Sequence, residues 1–217
     1  MNRTQGRFVE LWSRSGGARA EAVYADLARR YGEPGRHYHT LRHVHRCLRD
    51  FDRASGAIAH GDLVELALWC HDVIYVPGAQ DNEERSAQWL RHCADDRIAA
   101  CGRICEAILA TRHSRAPDDL DARFACDIDL ASLGAPRRQF QDNGMRLRAE
   151  RPDLDDHAYA VHERRMLEAL LARPRIYLTD YFHAHCEAAA RANLAWRLAQ
   201  PMPRATTGVR CRPAGHD

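Results

Sequence analysis

Leu63-Val64-Glu65-Leu66-Ala67-Leu68-Trp69-Cys70-His71-Asp72 decides how this chain is read. An apolar run, interrupted only by Glu65, ends on an imidazole and a carboxylate. Packing alone does not ask for that pair, because a buried ionised carboxylate is costly unless a cation meets it. A divalent metal is such a cation. Two further segments carry groups of the same kind: Tyr38-His39-Thr40-Leu41-Arg42-His43 upstream and Asp127-Ile128-Asp129 downstream.

Around these segments the pattern is helical nearly throughout. Ala18 to Tyr31 has apolar residues at helical spacing and stops at Gly32-Glu33-Pro34-Gly35. Leu41 to Phe51 repeats the pattern. Asp62 is the expected N-cap of a helix from Leu63 to Ile74, and Asp81, with Glu84 three positions on, that of a helix reaching about Cys93. Further helices are expected over Arg97 to Thr111, Asp118 to Leu133, Asp155 to Ala172 and Asp180 to Ala199. No segment alternates as a strand does. The expected fold is all-α, one helical-bundle domain over residues 1–200, with 201–217 a disordered tail rich in proline and glycine.

Composition narrows the function. The 217 residues carry a formal charge of +2, with 32 basic and 30 acidic residues, so no strong field points to nucleic acid or a membrane surface. Every basic residue is arginine, which removes lysine Schiff-base chemistry. The polar stretch Met1 to Trp12 does not read as a signal peptide, and no run approaches a membrane span. Eight scattered cysteines are expected to be reduced thiols in a cytoplasmic protein. Cys101 and Cys105, four apart, read as packing residues or as a metal or redox pair. A homo-oligomer stays open.

His43, His71, Asp72 and Asp129 form a mixed nitrogen and oxygen donor set suited to manganese, iron, magnesium or zinc, with positions left for water. Such an open set points to catalysis, since structural zinc sites are usually closed by four ligands. Each of the 13 histidines taken alone is an ordinary surface or core residue; the joint pattern is what singles out these two.

The ordered strings Arg36-His37-Tyr38-His39-Thr40-Leu41-Arg42-His43-Val44, Trp69-Cys70-His71-Asp72-Val73-Ile74-Tyr75, Asp81-Asn82-Glu83-Glu84-Arg85-Ser86-Ala87, Ile108 to His113, Asp127 to Gly134 and Ala190 to Leu194 resemble the HD superfamily of metal-dependent phosphohydrolases. The resemblance spans most of Arg36 to Leu198. It implies an HD-type helical fold and one divalent metal (manganese, magnesium, iron, zinc or nickel) held by His43, His71, Asp72 and Asp129. It also implies hydrolysis of a small phosphorylated, nucleotide-like substrate. Tyr38-His39-x-x-x-His43 is similar to a stretch of cyclic-nucleotide phosphodiesterases, which makes His39 the candidate proton donor. A helix starting at Thr40 would place His39 at its positive end, where the dipole lowers an imidazole pKa and opposes that role. Asp127 is then a supporting or capping residue. Glu83 accepts a proton from water or caps its helix, with Glu84 competing. Arg36, Arg42, Arg112 and His113 are the candidates to meet substrate phosphate. His113 also resembles the extra histidines of two-metal members, but no further bridging set accompanies it. Other readings are a non-catalytic HD-like sensor of a nucleotide or metal, an iron oxygenase with additional ligands and, least favoured for lack of a basic stripe, a nucleic-acid module.

Overall fold

The computed structural model describes residues 3–204. The all-helical expectation holds: ten α-helices and two short 3-10 turns follow one another, with no strand among the described residues. They are α1 (Arg3–Arg14), α2 (Ala20–Tyr31), α3 (Leu41–Ala54), α4 (Gly61–Cys70), α5 (Asn82–Ala94), α6 (Cys101–Ala110), α7 (Leu120–Leu130), α8 (Arg137–Ala149), α9 (Asp156–Leu171) and α10 (Asp180–Leu198). The 3-10 turns are Ser55–Ala57 and Ala131–Gly134. No helix among the described residues is long and apolar enough to cross a membrane.

α4 is the hub. It packs against α1, α3, α5, α6 and α7, and every residue from Leu63 to Cys70 is buried. A helix covered on all sides has no solvent face, so its sequence is apolar all round rather than amphipathic. Glu65 is the exception. Its Oε1 accepts from Arg7 Nε at 2.7 Å and from Trp69 Nε1 at 3.2 Å, which supplies the partners a buried carboxylate needs. Phe8 and Trp69 stand edge to face with centroids 5.3 Å apart, fixing α1 against the hub.

Several expected boundaries shift for local reasons. α4 starts at Gly61, so Asp62 lies in its first turn, where it pairs with Arg14 at 2.8 Å instead of capping. The helix stops at Cys70 rather than Ile74. Arg36 meets the chain just past that end: its guanidinium donates to the carbonyls of Asp72 at 2.7 Å and Val73 at 3.0 Å, which have no helical partner. Asp81 stands at the N-cap of α5 but its side chain accepts from Arg85 at 2.9 Å, not from the helix backbone, and Glu84 pairs with Arg112 rather than closing a capping box. α3 runs on to Ala54, and the Arg97 and Asp118 helices shorten to α6 and α7. Asp119, Asp155 and Thr179 each accept a backbone N–H from the first turn they precede.

α1 and α8 went unforeseen. α8 buries one side chain, Asn143, so its sequence offers almost no apolar periodicity. Of the tail expected to be disordered, residues 205–217 lie outside the described ones, while 201–204 have no regular structure and Pro203 O accepts from His157 Nδ1 at 2.9 Å.

Asp127, fully buried on α7, holds the entry to α10. Its carboxylate accepts from Leu178 N (2.8 Å), Thr179 N (2.7 Å) and the Thr179 hydroxyl (2.6 Å). Asp127→Ala leaves all three donors buried and unpaired, and is expected to cost about 2–4 kcal/mol. Urea unfolding in the presence of a chelator reads this directly; an unchanged midpoint would show that the α7–α10 junction does not depend on it.

Candidate metal centre and its cavity

Helices α3, α4 and α7 pack pairwise against one another, and each brings one piece of the cluster. His43 is in the first turn of α3, whose N-cap Thr40 accepts from Arg42 N at 3.3 Å. His71 and Asp72 follow the end of α4. Asp129 lies near the end of α7, two residues beyond Asp127. Positions two apart on a helix point about 200° apart, so Asp127 turns to α10 while Asp129 turns to the histidines.

The donor atoms converge. His43 Nε2 lies 3.1 Å from His71 Nε2, 3.5 Å from Asp72 Oδ2 and 3.0 Å from Asp129 Oδ1. His71 Nε2 lies 2.9 Å from Asp72 Oδ2 and 3.5 Å from Asp129 Oδ1. Metal–ligand bonds of roughly 2.1 Å place neighbouring donors about 3.0 Å apart in an octahedron and about 3.4 Å apart in a tetrahedron. These separations suit a divalent ion: His43, His71 and Asp72 form one group whose donor atoms could share it, and Asp129 reaches the same two histidines. His71 Nδ1 donates to Leu68 O at 3.0 Å, which turns the lone pair of Nε2 toward the shared centre. The His113 ring binds the other Asp129 oxygen at 2.8 Å and so orients that carboxylate. His113 itself takes a left-handed backbone, φ 56°, where the chain leaves α6.

Cys47 joins the cluster from one turn along α3. Together with His43 and Asp129 it forms a second group able to hold a metal. Its sulfur is 3.7 Å from His43 Nε2, and burial pushes the thiol well above its ordinary pKa.

Electrostatics follow from burial opposed by charge. Burial lowers the pKa of His43, keeping it a neutral donor. The charges of Asp72 and Asp129 overcome burial at His71 and raise it well above the ordinary value. Both carboxylates stay ionised against burial, Asp72 through the charges of His71 and His39, Asp129 chiefly through its bonds to His113, His43 and His71. Burial raises Glu83, and the Asp72 charge adds to that.

His39 precedes the α3 cap and is held from elsewhere. Its Nδ1 meets Glu150 Oε2 at 2.5 Å, and its ring stacks on Tyr75 with centroids 4.2 Å apart. The other Glu150 oxygen accepts three backbone N–H groups, from His37, Tyr38 and His39, at 2.7–2.9 Å. Burial alone would lower the His39 pKa, but the Asp72 charge and the Glu150 bond raise it. The depression expected at a helix start is thus outweighed. Glu150, fully buried, is held down to about 2 by the His39 contacts.

A cavity of about 780 Å³ opens on one side of the cluster. His39, Asp72, Glu83, His113 and Asp129 line its polar end. The side chains of His43 and His71 are 1 % exposed, whereas those of Asp72 and Asp129 are 14 % and 18 % exposed, so the carboxylates form the accessible side. The three candidate arginines do not line it. Arg36 is spent on the carbonyls beyond α4. Arg42 faces a separate groove, which Arg3, Arg7, Arg46, Arg49 and Arg146 line together with Asp52. Arg112 donates to Gln80 O at 2.7 Å and stands 3.6 Å from Glu83. His113 does line the cavity, with its ring bound to Asp129.

Cys47 had a sequence signal, four residues from His43 on the same helix face. Glu150 had none, since it follows the unforeseen α8.

No family model, curated protein or solved structure matches this chain.

Two outcomes are expected. Metal analysis after loading gives about one divalent ion per chain, and His71→Ala removes it; metal at 100-fold its Kd adds about 2.7 kcal/mol to unfolding stability. A wild-type metal content in His71→Ala would refute the shared centre. Glu150 has a folded pKa below its unfolded value of 4.5, so its contribution is present above pH 4.5 and lost as pH falls through about 2. Stability of Glu150→Gln should therefore fall less steeply than wild type over that window in denaturant titrations.

Proposed function

We propose that this chain is a metal-dependent phosphohydrolase acting on a small phosphate ester. The observation that carries the reading is the convergence of His43, His71, Asp72 and Asp129 at the end of a cavity that also presents a tethered imidazole. The resemblance of the sequence strings to HD phosphohydrolases supports the same reading.

A divalent ion at this site, whether manganese, magnesium, iron, zinc or nickel, would lower the pKa of bound water and polarise a phosphoryl oxygen. The protein's own groups supply the rest. Glu83, whose raised pKa makes it the better proton acceptor, takes a proton from the attacking water. Oxygen adds to phosphorus, the ester P–O bond breaks, and His39 delivers its proton to the leaving oxygen. Glu150 holds the His39 ring in place and stabilises its charged form. Tyr75 covers one face of that ring. His113 keeps Asp129 aimed at the centre. Free thiols at all seven described cysteines accord with a cytoplasmic setting.

A second reading is a metal-holding sensor that binds a phosphorylated ligand without turning it over. The paired state of both arginines on the cavity wall favours it, since neither is free to meet charge developing on phosphate.

Turnover of phosphate monoesters, cyclic nucleotides and nucleoside triphosphates with each of the five metals separates the two. Asp72→Ala should abolish turnover and metal binding together. His39→Ala should keep the metal and lose about 10²–10⁴ in kcat. Hydrolysis by Asp72→Ala at the wild-type rate would falsify the assignment; bound metal and ligand with no turnover under any condition would favour the sensor.

A further inference from the structure

We infer that the substrate joins a single phosphoryl group to an apolar body, and is neither a nucleoside nor a polyphosphate; this rests on the phosphohydrolase reading above. At about 780 Å³ the cavity has room for a drug-sized molecule, far more than phosphate at the metal end needs. What lies beyond that end is mostly apolar. Leu130, Leu133, Phe140, Leu167, Leu170 and Trp196, drawn from α7, the following 3-10 turn, α8, α9 and α10, line the remainder. Two of the five exposed large apolar side chains, Met145 (65 % exposed) and Met166 (46 %), also stand on this cavity. Exposed methionines beside a deep apolar wall fit a guest whose hydrocarbon part reaches the mouth.

Charge excludes a chain of phosphates. The arginines on the wall are Arg148 and Arg197. Arg148 is spent on Asp156 Oδ1 (2.9 Å) and the carbonyls of Arg151 (2.7 Å) and Leu154 (2.9 Å). Arg197 meets Glu163 at 2.6 Å. A second or third phosphate would find carboxylates and no free cation. Arg3, Arg42, Arg49 and Arg146, which make no ion pair among the described residues, face the other groove, and Arg49 also lines the small pocket beside His43 and Asp129 rather than this cavity.

Polar readers for a base or ribose are few as well. The Tyr38 hydroxyl and Ser132 are bonded to each other at 2.9 Å, Thr111 donates to Ile108 O at 2.7 Å, and Asn143 Oδ1 accepts from Arg46 at 2.8 Å. Each is on the cavity wall and each already has a partner, which leaves Asn143 Nδ2 and the Gln141 amide as the polar groups there with bonds to give. A nucleoside would leave most of its amides and hydroxyls unpaired against hydrocarbon, which is costly.

The test uses the full chain loaded with manganese and compares ethyl, butyl, hexyl and octyl phosphate with 1-naphthyl phosphate, AMP and ATP. Burying each methylene should raise kcat/KM roughly fourfold until the cavity fills. Naphthyl phosphate should exceed AMP by at least about tenfold, corresponding to two methylenes or more. Trp196→Ala and Leu133→Ser should flatten the dependence on chain length through KM rather than kcat. A flat chain-length series, or AMP or ATP as the best substrate, overturns the inference while leaving phosphoester hydrolysis standing. Calorimetry with ethyl- and octylphosphonate gives a readout independent of turnover. Tighter octylphosphonate binding supports the apolar site even where no ester is cleaved, in which case it is the hydrolase reading that fails; equal binding overturns the inference.

Discussion

The negative charge of Asp72 and Asp129, set against the sealed end of an apolar helix, is the constraint on which the rest of the structure depends. Two carboxylates held within about 3.5 Å of shared imidazoles cannot sit there uncompensated. The charges of Asp72 and Asp129 raise the pKa of His71 against its burial, which is the same demand for a positive partner. Everything nearby serves that geometry. Arg36 holds the carbonyls of Asp72 and Val73 just past α4, and Leu68 O fixes the tautomer of His71. His113 accepts an unfavourable backbone to hold the far oxygen of Asp129. Arg36 thus builds the site without facing it, which is why a near-buried guanidinium beside the motif is not evidence of phosphate binding.

A second centre of order is Glu150. One carboxylate ties the segment 37–39 by three backbone bonds and the His39 ring by a fourth contact. It immediately follows α8, the helix that carries Phe140 and Leu147 on the cavity wall. The element that shapes the apolar chamber therefore also positions the imidazole at its polar end. A change in how α8 packs would move the wall and the proton donor together.

How much of this was legible in the residues depends on what each one's neighbours reveal. Leu63 to Cys70 announced a buried helix because a hub has no solvent face to disguise its composition. Asp129 was set apart from Asp127 by the resemblance, and the separation holds in space because two positions on a helix face opposite ways. α8 could not be read: thirteen residues with one buried side chain carry no periodic signal, so Glu150 at its end had no context. The places of the arginines were illegible for another reason. Arg36, Arg42 and Arg112 are chemically alike in the sequence, and only their partners in space, backbone carbonyls, a separate groove and two glutamates, tell a structural role from an exposed one. The cavity wall was illegible for the same cause, being assembled from helices that meet only in three dimensions.

The one-sided exposure of the donors links the two halves of the molecule. Asp72 and Asp129 face the chamber bounded by α8, α9 and α10, so a guest held there meets the centre from its carboxylate side; a smaller pocket of about 420 Å³ meets His43, Cys47 and Asp129 from another side. A passage walled by hydrocarbon and paired charges transmits water and a compact phosphoryl group readily, but each further charge must be desolvated on entry without a partner to receive it. Selectivity then need not reside in any residue touching phosphorus. It arises along the route, where the cost of stripping water from a polar guest rises with every charge and the gain from burying hydrocarbon rises with every methylene.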